Sequence, residues 1–221
     1  MIHLQDIFPY SAVNYPLTTM NGRDLYESGI ITNLPQLLLK EDMTDQDRKD
    51  FVDIVSRLDK QIQQVGIDLT VAKIEQEVFT AADGEDIELV VGFEKKYLRP
   101  LRECATFMHD EYGICWRLKP GSYHITFNEG CQIPADTWLE IRHRSTMLRG
   151  SCLLVSAVFD PGFETEQMGT VFHVLNGSVI IQKDARLGQI LAHSVNPVQD
   201  GDLYGNESKG SSYQNDKQRK A

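Results

Sequence analysis

Residues 144 to 169 read RSTMLRGSCLLVSAVFDPGFETEQMG, and the polar side chains in this stretch are of types that do chemistry. Arg144, Ser145 and Arg149 precede a continuous apolar run and Asp160 follows it. Guanidinium groups are planar, permanently charged donors suited to anionic oxygens, and a carboxylate can orient or deprotonate a water molecule. Val155 to Phe159 is too apolar for a loop, whereas Asp160-Pro161-Gly162 is strong turn chemistry, so Asp160 sits where a strand ends. On these residues alone, a structural turn and a catalytic carboxylate are both open.

Other chemistries are disfavoured. Cys104, Cys115, Cys131 and Cys152 form no C-x-x-C pair, and no two histidines stand at metal-ligand spacing, so the thiols read as reduced and mostly buried. The zinc-deaminase signature, H-x-E followed by P-C-x-x-C, is absent, and any deamination would have to proceed without zinc. A net charge of −10 argues against general nucleic-acid binding, because a phosphate backbone is held by excess Lys and Arg. A polyanionic ligand must therefore meet a local cluster of positive groups. MIHLQDIFPY has neither a basic start nor a long apolar core, and nowhere do about 18 apolar residues run together, which implies no membrane partner and a cytoplasmic protein. With 221 residues, 41% of them hydrophobic, the chain suits one domain with appendages.

The elements that must position these groups fall into three zones. Residues 1–65 read as a helical N-terminal extension. Within it, GRDLYESGIIT is a short helix ended by Gly29 and followed by an extended piece. Phe51, Ile54, Val55, Leu58 and Ile62 recur at helical spacing, with Thr44 and Asp47 resembling a capping box, which predicts an amphipathic helix over 44–64. Residues 66–201 carry short β-type runs separated by Gly, Pro, Asn and Asp: GIDLTVAKI, IELVVGF, CWRLKPGSYHITF, TWLEIRH, CLLVSAVF, GTVFHVL, SVIIQ and LGQILAH. That spacing predicts a mainly β fold, a small barrel or jelly roll, with Asn176-Gly177 as a type I′ hairpin turn. Residues 202–221 have almost no aliphatics and read as a flexible C-terminal arm. It carries Tyr204 and Tyr213 and concentrates Lys209, Lys217, Arg219 and Lys220.

The order of these motifs resembles the dCTP deaminase and dUTPase superfamily. Arg144 to Arg149 is similar to that family's R-S-S-L-x-R, and Phe159-Asp160-Pro161-Gly162-Phe163 to its I-D-P-G-F. Gly66-Ile67-Asp68-Leu69 resembles its early G-x-D-L, LKPGSYHITF and IPADTWLEIRHRS the strands leading into the first motif, and RLGQIL its R-I-x-Q-L strand. Tyr204-Gly205 followed by Gly210-Ser211-Ser212-Tyr213-Gln214 resembles the deaminase-type tail, Y-G-x-x-x-x-G-S-K-Y-Q. GRDLYESGIIT is similar to the family's N-terminal helix and strand, so the motifs span, in order, roughly residues 20 to 215, and the helix at 44–64 is an insertion in that pattern.

The resemblance implies a dUTPase-like distorted β-barrel, a homotrimer, and nucleotide sites between subunits. It implies a deoxynucleoside triphosphate as ligand, with Mg²⁺ carried on the triphosphate rather than by a protein cage. Asp160 would be the catalytic carboxylate, Phe163 an apolar wall against deoxyribose, and Arg144, Ser145, Thr146 and Arg149 would contact phosphate. Further substrate contacts are implied at Ser156, His173, Gln189, Tyr204, Lys209, Tyr213 and Gln214. Arg144 has a second reading, as a structural arginine at a strand end.

The departures decide between activities. Metal-free deamination needs a glutamate in the L-E-L-x-N strand, and counting back from Asn176 puts His173 there; Phe172, Val171 and Val174, one or two residues away, are not acids either. Glu164 and Glu166, in the longer connection after Phe163, are the remaining acids nearby. His173 itself reads equally as a hydrogen-bonded strand residue. Ser212 replaces the tail lysine. The expected reaction is hydrolysis of a pyrimidine deoxynucleoside triphosphate, dUTP to dUMP and pyrophosphate. Metal-free dCTP deamination, alone or combined with hydrolysis, and a non-catalytic nucleotide-binding regulator are the alternatives.

Overall fold

The computed structural model describes residues 19–34, 53, 55–91 and 96–204. Asn21 caps the first helix, α1 (Gly22–Glu27), by accepting from the Asp24 N–H at 2.9 Å, and Gly29 at φ 71° turns the chain into β1 (Ile31–Thr32). Of the helix expected over 44–64, residues 55–61 are helical, here α2, and Leu58 is buried; Thr44, Asp47, Phe51 and Ile54 lie outside the described residues.

The strands follow as β2 (Ile67–Glu77), β3 (Val90–Val91), β4 (Lys96–Tyr97), β5 (Leu101–Glu103), β6 (Thr106–His109), β7 (Gly113–Leu118), β8 (Gly121–Phe127), β9 (Gly130–Gln132) and β10 (Thr137–His143). After a one-turn helix, α3 (Ser145–Arg149), come β11 (Cys152–Val155), β12 (Val158–Phe159), β13 (Glu164–Thr165), β14 (Gly169–Val174), β15 (Val179–Gln182) and β16 (Arg186–Ser194).

Alternation builds the main sheet. Tyr123, Ile125 and Phe127 of β8, Leu139 and Ile141 of β10, Phe172 and Val174 of β14, and Ile190 and Ala192 of β16 point into one core. All pairings are antiparallel, in the order β11-β14-β8-β2-β16-β10-β12, with β5 also on β2. The first and last strands of this order are neighbours in the chain, separated only by Ser156 and Ala157. One interrupted strand thus supplies both margins of the sheet, which curls on itself around Phe127, Phe172, Met168 and Leu187. Trp116, Leu118 and Ile181 close the core from a smaller sheet, β15-β7-β6. The mainly β, barrel-like fold class is as expected.

Three local expectations are corrected. CLLVSAVF is two strands, because the chain leaves β14 after Val155 and joins β10 at Val158. Asn176-Gly177 does not close a hairpin: β14 pairs with β8 and β11, whereas β15 pairs with β7. Only Gly177 has a positive φ, 67°, so the type I′ geometry is not formed. In IELVVGF, Ile87 to Leu89 are not strand and Val90 and Val91 form the exposed β3, while Gly92 and Phe93 lie outside the described residues. Among the described residues no helix is long and apolar enough to cross a membrane.

Candidate functional site

β10 delivers the first half of the site. Leu139 and Ile141 lock the strand into the core, and Arg144, still extended at φ −71° and ψ 147°, leads into α3. Gly150 ends the turn by donating to Thr146 O and Met147 O, and Ser151 at φ 57° swings the chain into β11. Met147 packs on the core, leaving Ser145, Thr146 and Arg149 exposed.

Arg144 turns the other way. Its Nε lies 3.0 Å from Asp68 Oδ2, and its Nη1 donates to the Arg186 carbonyl at 3.2 Å. Asp68, 2% exposed, is also 3.1 Å from Arg186 Nη1. Burial pushes the Asp68 carboxyl above its ordinary range, against the pull of Arg144 and Arg186. The aspartate of the G-x-D-L motif is therefore the anchor of Arg144, whose Nε and Nη1 are both engaged within the chain. Its Nη2 meets no partner among the described residues.

The second half is the turn after β12. Phe163 N–H donates to Asp160 O at 3.1 Å, Gly162 N–H to Ile133 O at 3.0 Å, and Tyr204 N–H to Pro161 O at 2.9 Å. Gly162 sits at φ 86°, and a Cβ there would come within 3.0 Å of Leu203 Cβ and Tyr204 N, so glycine is required both for conformation and for room. Backbone groups make this turn. The exposed Asp160 carboxylate takes no part in it and has no hydrogen-bond or ionic partner among the described residues.

Phe163 departs from its expected place. It is 6% exposed, 5.6 Å from the Phe159 ring and 5.3 Å from the Tyr204 ring, because an aromatic beside two others gains more from the core than from a solvent-facing wall. Tyr204 is accordingly fastened to its own chain. His173 lies on the outward face of β14, with Nδ1 2.8 Å from Ser122 Oγ on β8. Ser156 Oγ donates to Ala157 O at the strand break, and Gln189 Nε2 donates to the Val65 carbonyl. Lys209, Tyr213 and Gln214 lie outside the described residues.

Asp68, Arg186 and Gln61 were not singled out from sequence as site residues. The signal for them is a carboxylate inside an apolar strand run, Ile67-Asp68-Leu69, which cannot be buried without cationic partners.

The structure does not bring the two halves together within one chain. Phe159 pairs with Leu139, which sets Asp160 beside Trp138 at the start of β10, while Arg144 follows its far end. At the rise of an extended strand the separation is about 20 Å. Among the described residues, one chain thus presents an unpartnered carboxylate at one end of β10 and exposed Ser145, Thr146 and Arg149 at the other, two candidate half-sites too far apart to grip one small ligand together.

The family described as dCTP deaminase-like matches residues 37–195. A deoxyuridine 5′-triphosphate nucleotidohydrolase of Methanocaldococcus jannaschii is 33% identical over 145 residues, 65% of this chain and 83% of that protein. A probable enzyme of the same name from Methanococcoides burtonii is 30% identical over 161 residues, 72% of this chain and 84% of that one. Among solved structures, the 2′-deoxycytidine 5′-triphosphate deaminase of Agrobacterium tumefaciens aligns at a TM-score of 0.48 and 13% identity, over 81% of this chain and 49% of that one. With most of its length matched, and with its motifs in order on a curled antiparallel sheet, the chain belongs to the dCTP deaminase-like family.

Proposed function

We propose that the protein hydrolyses dUTP to dUMP and pyrophosphate. The observation that carries the reading is the Asp160 carboxylate, held in place by a turn that makes no use of it. A water beside Asp160 attacks the α-phosphorus and gives its proton to the carboxylate; the bond between the α-phosphorus and the bridging oxygen breaks, and pyrophosphate leaves with that oxygen. Ser145 and Arg149 of a neighbouring copy bind the phosphates, Thr146 adds a hydroxyl, and Arg144 contributes through Nη2.

The separation of the half-sites supports nucleotides held between subunits, and the motif resemblance implies that the copies form a closed homotrimer. Exposed Leu148, Val155 and Val158, on α3, β11 and β12, are suited to the contact between copies.

Magnesium is read as a passenger on the triphosphate. Among the described residues no three His, Cys, Asp or Glu side chains converge on an ion, and phosphate oxygens are the fitting hard donors. When bound, the ion neutralises charge on the phosphates. The body at 66–201, with the extension at 1–65 packed on it, would be completed by an arm over 202–221. That arm brings Lys209, Tyr213 and Gln214 to the bound nucleotide.

The family description favours a second reading, metal-free dCTP deamination. Against it stands β14, whose outward residues are Val171 and His173; Glu164 belongs to β13, paired with β9. Incubation of the purified protein with dUTP and with dCTP separates these readings. Pyrophosphate from dUTP supports the proposal, ammonia from dCTP replaces it with deamination, and tight binding without either product leaves a regulator.

A further inference from the structure

The inserted helix α2 is bonded into the arginine end of the molecule. Gln61, 5% exposed, donates from Nε2 to Asp68 O at 3.2 Å and to Glu129 Oε1 at 2.8 Å. Glu129, 2% exposed, also accepts from the Thr70 N–H at 2.9 Å and the Thr70 hydroxyl at 2.6 Å. One residue earlier, the Lys60 carbonyl accepts from Arg186 Nη1, the same nitrogen that pairs with Asp68. Gln189 is tied to the Val65 carbonyl just beyond the helix.

Among the described residues the buried polar side chains are Gln61, Asp68, Glu129 and Thr137, and three of the four are in this cluster. Burying carboxylates is costly unless each is paired, so a helix seated only to cover the core would be served better by aliphatic residues. Instead, the carbonyl end of α2, which favours cations, receives Arg186. Asp68 Oδ2 then serves Arg186 and Arg144 together. A guanidinium is planar, so fixing Nε and Nη1 of Arg144 also fixes the direction of Nη2.

We propose that Gln61 and Asp68 are positioning residues for Arg144, and that the last turn of α2 is the brace that holds its free Nη2 toward the phosphates of the nucleotide. The proposal rests on reading residues 144 to 149 as the phosphate segment. It gives the insertion a purpose: the helix sets the direction of an arginine it does not touch.

The test is a double-mutant cycle in the full chain. Gln61→Met and Asp68→Asn are made alone and together with Arg144→Ala, and affinity for a non-hydrolysable dUTP analogue and for dUMP is measured by calorimetry beside thermal stability. Each single variant should weaken the triphosphate analogue about tenfold, a scale set by small misplacements of a binding group, and dUMP less. In the Arg144→Ala background neither should have further effect on the analogue. Asp68→Asn, isosteric with the native side chain, carries the test if Gln61→Met lowers thermal stability. Equal losses with and without Arg144 overturn the proposal while leaving the phosphate reading intact. An Arg144→Ala protein that binds the analogue as tightly as wild type removes the phosphate reading itself.

Discussion

Tyr204 meets Phe163 edge-on, with ring centroids 5.3 Å apart, and its N–H closes on the Pro161 carbonyl at 2.9 Å. The last described residue is thus fastened beside Asp160 of its own chain, next to the carboxylate proposed to act as the base.

Two truncations separate anchor from arm. Cutting after Tyr204 should leave thermal stability unchanged and remove most turnover, since ordering a tail costs about 1–2 kcal/mol of backbone entropy per residue and is worthwhile only over a bound ligand. Cutting after Gly201 should in addition lower the melting temperature, because Phe163 loses Tyr204, one of its two ring partners. Full turnover without residues 205–221 would show that the arm has no catalytic part.

Asp160→Asn should keep nucleotide affinity within about tenfold and lower kcat by at least ~10²-fold, the scale for removing a positioned base. The backbone turn does not use the carboxylate, so thermal stability should not move. Lost binding with normal turnover at saturation would contradict the assigned role.

Arg149→Ala should weaken triphosphate binding more than monophosphate binding, because the exposed guanidinium at the end of α3 is assigned to the distal phosphates. Titration calorimetry with a non-hydrolysable dUTP analogue and with dUMP measures the difference. Equal losses for the two ligands would argue against a phosphate contact.

Glu129 makes stability depend on pH. Burial raises its carboxyl above the ordinary 4.5, with the Thr70 and Gln61 bonds opposing. A raised folded value means that its contribution is fully present below 4.5 and is lost as pH rises through the folded value. Glu129→Gln has no such titration, so the stability of wild type relative to this variant should fall as pH increases above 4.5, measured by thermal melts across the range. A relative stability that instead rises with pH would mean that the donor bonds outweigh burial.

Much of the fold was legible because the strands carry period-2 patterns, as in Tyr123-His124-Ile125-Thr126-Phe127, and such a pattern has one stable face. Partner choice was less so. Asn176-Gly177 looks like a hairpin from its local chemistry, yet the core draws β14 and β15 into different sheets, which no neighbouring residue encodes. In the site, Asp160 could be placed at a strand end from Pro161 and Gly162. The inward turn of Phe163 depends on Tyr204, far along the chain, and the pairing of Arg144 with Asp68 depends on two remote segments meeting at one buried oxygen. Sequence displays a residue's chemistry; which groups occupy it is settled by tertiary contacts.

The place of β2 between β8 and β16 sets a timetable. During synthesis β2 is made before either partner, and Ile67 must wait for Ile190, about 120 positions later, before that margin is paired. Until β16 has left the ribosome, β2 offers a row of unpaired backbone groups flanked by Ile67, Leu69 and Val71. Nascent chains stalled before residue 186 should therefore be the aggregation-prone and chaperone-dependent species of this protein, whereas a chain that includes β16 closes that margin itself.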